Sequence, residues 1–312
     1  MQGKHSSAAG QRAELSVELG GDGCVARIKH VGTVNEREKA FLKLFDQLTY
    51  SRSGWQVWED LMTVMACSIC NAVDRRKEPF ERREKQYERA IKDLGGVDIP
   101  AQMFGMITMA LEENPNQDFL GRLYMNLNLG SHWHGQFFTP YHVCEMMAKM
   151  QIGDGCQAEI EKKGYLSVCD MCVGAGAMLI AAATAFRENN VNYQTSALFI
   201  GQDIDPVVAK MAYIQLSLLG CPGYITVGNS LTNPQTGHVL FPEENEGQEL
   251  WIMPMFMHQV WEMRRTGLLM QNLFGGIGTT QKNAEEKERY FMFFNLKEQE
   301  ELNHGREEST AK

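Results

Sequence analysis

After Gly130 the apolar pattern of this chain changes period, and that change constrains the fold more than any other feature. Short apolar runs at 165–170, 197–203 and 224–228 read as strands, and longer helical runs at 177–188 and 206–219 separate them. Strands that alternate with helices of this length predict a parallel, doubly wound α/β sheet, because a parallel pair needs a crossover that a helix supplies. Upstream the pattern is helical. Phe41, Leu42, Leu44, Phe45 and Leu48 share one face at 3.6-residue spacing. Further helices are expected over 55–73, from Pro79 to the Gly95-Gly96 pair, over 100–113 and over 117–127. Met103, Met106 and Met109 fit core filling better than a ligand set. Four segments follow: a lead at 1–35 with one short strand at 24–28, a helical N-terminal domain at 36–130, a Rossmann-like domain at 131–250, and a helical segment with a charged tail at 251–312.

Apolar residues make up 44% of the 312, which is enough for a sizeable core. The longest apolar run, 178–186, is too short to span a bilayer, and the N-terminus lacks the apolar stretch of a secretory signal, so no membrane and a cytoplasmic location are expected. The net charge of −9 argues against a protein that grips nucleic acid alone. In the most basic stretch, 75–92, Lys and Arg interleave with Glu as on a solvated helix face. Eight cysteines include two pairs at CxxC spacing, Cys67/Cys70 and Cys169/Cys172, read as reduced structural thiols; no metal site is expected. His132-Trp133-His134 has the spacing of a strand-borne ligand pair but no third ligand nearby. The Trp261–Arg265 stretch, with Arg264 and Arg265, reads as a solvated helix end.

The loop between the first strand and the next helix reads Asp170-Met171-Cys172-Val173-Gly174-Ala175-Gly176. Gly174 and Gly176 let the backbone approach a ligand closely, at a helix N-terminus that favours polar or anionic groups. The second strand ends in Gln202-Asp203, where nucleotide-binding α/β folds place an acid that accepts hydrogen bonds from ribose hydroxyls. Asp205, just before Pro206, fits an N-cap.

These segments occur in a fixed order with two others: Gly135-Gln136-Phe137-Phe138-Thr139-Pro140 and Gly228-Asn229-Ser230-Leu231. Together the four motifs resemble the S-adenosylmethionine site of adenine-N6 DNA methyltransferases, of the type I modification-subunit kind. The family's glycine loop, Asp-Pro-x-x-Gly-Ser-Gly-Gly-x-Leu, keeps here its acid and first two glycines. The resemblance implies that Phe138, Thr139 and Pro140 close over the methionine part of the cofactor, that Asp170, Gly174 and Gly176 form the loop beside it, and that Asp203 holds the ribose. Asn229 stands where the family has an Asp that bonds the adenine amino group, and an Asn carbonyl oxygen can still accept that bond.

The family's catalytic Asn/Asp-Pro-Pro-aromatic motif is not found downstream. Asn233-Pro234 has the Asn and one Pro, and Pro254-Met255-Phe256 has a Pro and the aromatic. Roughly 80 residues follow Leu231, too few for the four further strands and helices of a full sheet, so a shortened sheet is expected. In the tail, residues 290–294 are strongly apolar and read as a helix docked on the core or a partner-binding stripe. The resemblance implies a DNA adenine-N6 methyltransferase or modification subunit working with a specificity or companion subunit, and a homo- or hetero-oligomer is compatible with it. An inactive cofactor-binding scaffold and a methyltransferase for another substrate remain alternatives.

Overall fold

The computed structural model describes residues 36–129, 138–153 and 155–274. Five helices open the chain: α1 (Glu36–Leu48), α2 (Gly54–Val73), α3 (Lys77–Leu94), α4 (Asp98–Glu113) and α5 (Phe119–Asn126). The spacing of Phe41, Leu42 and Phe45 buries one face of α1 against Trp58 of α2 and Phe119 of α5, rings meeting edge to face. Ser53 starts α2 by accepting from Gln56 N–H, and Asp118 starts α5 by accepting from Gly121 N–H.

α6 (Tyr141–Gln151) and α7 (Cys156–Lys163) lead into the sheet. β1 (Leu166–Asp170), α8 (Ala177–Glu188), the single turn α9 (Tyr193–Ser196), β2 (Ala197–Asp203), α10 (Pro206–Leu218) and β3 (Gly223–Val227) form the expected alternation. β1, β2 and β3 are mutually parallel, with Asp170 beside Gly201 and Asp203 beside Val227. A small hairpin follows, β4 (Thr236–His238) with β5 (Phe241–Glu243), and then β6 (Glu249–Ile252), which joins β3 antiparallel. Among the described residues the main sheet therefore runs β1-β2-β3-β6, a mixed α/β core.

β6 corrects the sequence reading. The run from Trp251 to Arg265 was expected to be helical, yet Trp251 and Ile252 lie in the strand. A 3₁₀ turn (Pro254–Met257) follows, and α11 (Gln259–Phe274) starts only after it. The pairing Tyr224↔Ile252 outweighs local periodicity, as short apolar runs permit. The boundary drawn between 250 and 251 passes through this strand. The segments expected at 24–28 and 290–294 lie outside the described residues, and so do His132, Trp133 and His134.

β2 shows how the sheet is sandwiched. Phe199 faces α8 and α10, while Leu198 and Ile200 face α11, Phe256 and Trp261. Burying a side chain of that size contributes about 1.5–3 kcal/mol. One apolar cluster extends from Phe41 to Met253, so the helical region and the α/β core share a core. The basic stretch of α3 is only partly a solvated face. Arg83 is buried, bonded to Asn71 Oδ1 and Asp74 O and paired with Asp74, because α3 packs against α2. Among the described residues no single helix is long and apolar enough to cross a membrane.

Candidate cofactor site

Parallel pairing brings the carboxyl ends of β1, β2 and β3 to one edge, where open α/β sheets bind ligands. Asp170 ends β1 and its Oδ1 accepts from Cys172 N–H at 3.0 Å, shaping the start of the glycine loop. Gly174 takes φ +52°, and a Cβ there would meet the Phe138 ring at 3.3 Å. Gly176 takes φ +94° as the N-cap of α8, and its Cβ would lie 3.2 Å from the Ala212 backbone in α10. Both positions combine left-handed backbone with close approach, which explains the glycines.

Asp203 is the organising side chain. Its Oδ2 accepts from Gly174 N–H at 2.8 Å and its Oδ1 from Asp205 N–H at 3.0 Å. The carboxylate thus ties the end of β2 to the glycine loop and retains lone pairs for a ligand. Burial pushes its pKa above the ordinary value, against the lowering effect of those backbone donors. Asp170 is raised for the same reason. Asp205 caps α10 by accepting from Val207 N–H, with Pro206 in the first turn, as expected.

Of the Phe-Thr-Pro segment, Phe138 is half-buried over Gly174, while Thr139 and Pro140 are exposed at the start of α6. Gly135, Gln136 and Phe137 lie outside the described residues. Phe138 continues an aromatic wall that the sequence did not disclose. Its ring lies 5.5 Å from Tyr124, and Trp55, partly exposed on the first turn of α2, acts on the Tyr124 hydroxyl, opposing the rise in its pKa that burial causes. Two large apolar side chains flank the site in the open, Ile204 beside Asp203 at 65% exposure and Leu231 beyond Asn229 at 92%. Large side chains left this open beside a polar centre fit a ligand's apolar faces.

Asn229 differs from expectation. Its Oδ1 already accepts from Leu231 N–H at 2.9 Å and Thr232 N–H at 3.2 Å, an Asx turn. The oxygen expected to accept from an amino group is engaged, and the amide N–H₂ is the group left to meet a ligand. The Asn-Ser-Leu-Thr order was the available signal, since Asn bonds backbone two residues on.

The loop after β3 hangs on Gln202, which is fully buried. Its Nε2 donates to Gly228 O and Asn233 O, and its Oε1 accepts from Gln235 N–H. Gln248 donates to the same Asn233 carbonyl, and Asn233 Nδ2 donates to Glu246 O. Asn233 is thereby absorbed into the loop's own bonding, with Pro234 held in the same turn. Phe256 is buried against Tyr224 and Trp261, and Pro254 opens the 3₁₀ turn before it. Neither pair can present an acceptor and an exposed aromatic face to a substrate base. Arg264 and Arg265 are not a solvated helix end. Arg264 stacks on Trp261 and bonds Gly164 O, and Arg265 is buried and bonds Phe256 O.

The helical region braces the site from behind. Gln215 of α10 accepts from Leu120 N–H and donates to Asp118 Oδ1 and to Ala175 O of the glycine loop. The CxxC pairs lie apart: Cys67 and Cys70 are buried in α2, with the Cys67 thiol pushed up to about 12 by burial, while Cys169 and Cys172 are exposed. Among the described residues no group of three or more His, Cys, Asp or Glu could hold a metal.

A sequence model of N-6 DNA methylases matches residues 117–302, more than half of the chain. The chain belongs to the N-6 DNA methylase family. It is also similar to two solved structures. One is the type I restriction-modification methyltransferase subunit from Streptococcus thermophilus, at 14% identity and TM-score 0.32, covering 64% of this chain and 59% of that one. The other, described as a class I S-adenosylmethionine-dependent methyltransferase from Listeria monocytogenes, has 14% identity and TM-score 0.34, covering 74% and 70%. Both likenesses are too distant to bear on residue roles. No curated protein matches the chain. For this N-6 DNA methylase family member, the family match takes in Phe138, the glycine loop, Asp203 and Asn229 together.

Proposed function

We propose that the chain binds S-adenosylmethionine at the carboxyl edge of β1, β2 and β3 and is the cofactor-bearing part of a cytoplasmic DNA adenine-N6 methyltransferase. The observation that carries the reading is the Asp203 carboxylate at the end of β2, oriented by Gly174 and Asp205 N–H groups and tied by the first of them to the glycine loop. Asp203 would accept from the ribose hydroxyls. Ile204 and Leu231 would line the adenine faces, and Asn229 Nδ2 would donate to an adenine ring nitrogen. Asp170, Gly174 and Gly176 would border the sulfonium end, with Phe138, Thr139 and Pro140 over it.

When bound, the cofactor would supply an electrophilic methyl on a sulfonium for transfer to the adenine amino group, which would give up a proton as the S–CH₃ bond is exchanged for the new C–N bond. Of the candidates for accepting that proton and stacking the flipped base, Phe256 is buried and Asn233-Pro234 has no aromatic beside it. A companion subunit would supply these groups, together with basic surface to offset this chain's net charge of −9 against DNA. That same observation favours a second reading, a cofactor-holding scaffold without its own turnover.

Titration with S-adenosylmethionine by calorimetry tests the cofactor assignment; micromolar binding is expected, and no heat at millimolar cofactor would overturn it. Transfer of labelled methyl into adenine-containing DNA, with and without proteins encoded beside this one, then separates the two readings. Label in N6-methyladenine supports the methyltransferase, and binding without label in any combination supports the scaffold.

A further inference from the structure

β1 stands at the edge of a parallel sheet, and nothing among the described residues pairs with its outer side. In a parallel ladder, alternate residues of a strand point their N–H and C=O groups away from the one neighbour, so β1 presents an open row of both. The segment Leu166–Asp170 carries neither Pro nor Lys, and its one charge, Asp170, stands at its carboxyl end. Its faces are open too. A groove of about 520 Å³ runs along it, where Ile152, Cys156 and Phe186 meet Leu166, Ser167, Val168 and Cys169 of the strand, with Gln151 and Glu159 adding polar groups. On the opposite face Ser167 and Cys169 are exposed, whereas β2 is buried on both faces. The other edge of the sheet is closed differently, by the short antiparallel β6.

We propose that residues 290–294, Tyr290-Phe291-Met292-Phe293-Phe294, occupy this edge as a fifth strand of the main sheet. The run has five residues, matching the five of β1. Five consecutive apolar residues, four of them aromatic, suit a strand covered on both faces and carry high β-propensity. Charged residues bound the run, Lys287-Glu288-Arg289 before it and Lys297-Glu298 shortly after. The chain can reach. α11 is pinned next to the start of β1 by the bond from Arg264 to Gly164 O, and the 15 residues from 275 to 289 can span about 50 Å when extended. One parity of side chains would fill the groove beside Leu166 and Val168, and the other would cover Ser167 and Cys169. The strand seals the β1 edge whether or not a cofactor binds.

Hydrogen exchange on the full-length chain tests the proposal. In the wild type, the peptide spanning 165–171 should hold slowly exchanging amides on both sides of β1. The double variant Phe291→Asp/Phe293→Asp should exchange there at least tenfold faster, with α10 and β2 unchanged as the control for folding. As a second measurement, Met292→Cys and Phe293→Cys are oxidised separately and the disulfides mapped; one parity should join Cys169 within a monomer and the other should not, because alternate residues face opposite sides. Equal exchange in wild type and variant would overturn the proposal. So would protection that rises with protein concentration, which marks a second copy, or a native Cys24–Cys169 link, which places the lead segment on the edge.

Discussion

Asp203→Ala is the most informative single change, because this carboxylate has one observed role and one proposed role that can be measured apart. It accepts from Gly174 N–H at 2.8 Å and Asp205 N–H at 3.0 Å, and it is proposed to accept from the ribose hydroxyls. Removing it orphans two backbone donors, each bond worth about 1 kcal/mol net, so the urea midpoint should fall by the equivalent of about 1–3 kcal/mol. Losing the hydroxyl contacts should weaken S-adenosylmethionine by a further 1–3 kcal/mol, about 5- to 150-fold in Kd by calorimetry. An analogue lacking the ribose hydroxyls separates the two effects. Loop distortion would weaken the cofactor and the analogue alike, whereas loss of a hydroxyl contact weakens the cofactor alone. pH gives an independent check. Burial raises the Asp203 pKa above 3.8 in the free protein. A raised carboxyl favours folding below its unfolded pKa and loses that contribution as pH rises through its folded pKa. Binding runs the other way, since the ionised form is the acceptor, so affinity should fall as pH drops through the folded pKa and the Asp203→Ala variant should lose that dependence. Unchanged affinity in Asp203→Ala, or equal loss for cofactor and analogue, refutes the ribose assignment.

Asn229→Asp should weaken the cofactor about tenfold, because one oxygen would keep the bonds to Leu231 and Thr232 N–H and the other would replace a donor by an acceptor; tighter binding in the same titration would show that an amino group faces this position. Gly176→Ala should cost about 1–3 kcal/mol in urea unfolding, since φ is +94° and the new methyl meets the Ala212 backbone at 3.2 Å, and an unchanged midpoint would contradict that geometry. Gln202→Leu should destabilise by about 1–3 kcal/mol and speed amide exchange in residues 228–235, because three bonds of a buried amide are lost and Gln235 N–H, Gly228 O and Asn233 O lose a partner; protection unchanged in that loop would show that Gln202 does not hold it.

The parallel half of the fold was legible because its signals are local. β1, β2 and β3 announce themselves as short apolar runs, and Asp205-Pro206 marks the start of α10 through a cap and a proline that need no tertiary partner. β6 was not legible, because Trp251 and Ile252 take their conformation from Ile225 and Tyr224 across the sheet. Arg83 and Arg265 read as surface charges, yet α2 and Phe256 provide the carbonyl and carboxyl partners that let them be buried. In the site, the glycine loop and Asp203 stood out by position. The aromatic wall of Trp55, Tyr124 and Phe138 did not, since 83 residues of sequence separate Trp55 from Phe138 and only the packing of α2 and α5 on α10 unites them.

The topology also limits how a companion could complete a methyl-transfer site. Apart from Phe138, Thr139 and Pro140, which precede α6, every residue assigned to the cofactor sits on or follows the carboxyl ends of β1, β2 and β3, braced from the helical side by Gln215 through Ala175 O. A doubly wound sheet binds its ligand where strand order reverses, with strands on both sides of the first. Among the described residues β1 has a neighbour on one side only, and β6 lies antiparallel at the far edge. If residues 290–294 take the open edge, the sheet cannot be extended there by strands from another chain. The companion must then approach over the carboxyl ends of the strands, where Ile204 and Leu231 lie exposed, and bring its base-binding groups to the cofactor from above. Cofactor affinity would then be a property of this chain alone, whereas transfer would depend on companion concentration. A variant with Phe291→Asp/Phe293→Asp would disturb β1 without removing any group assigned to the cofactor.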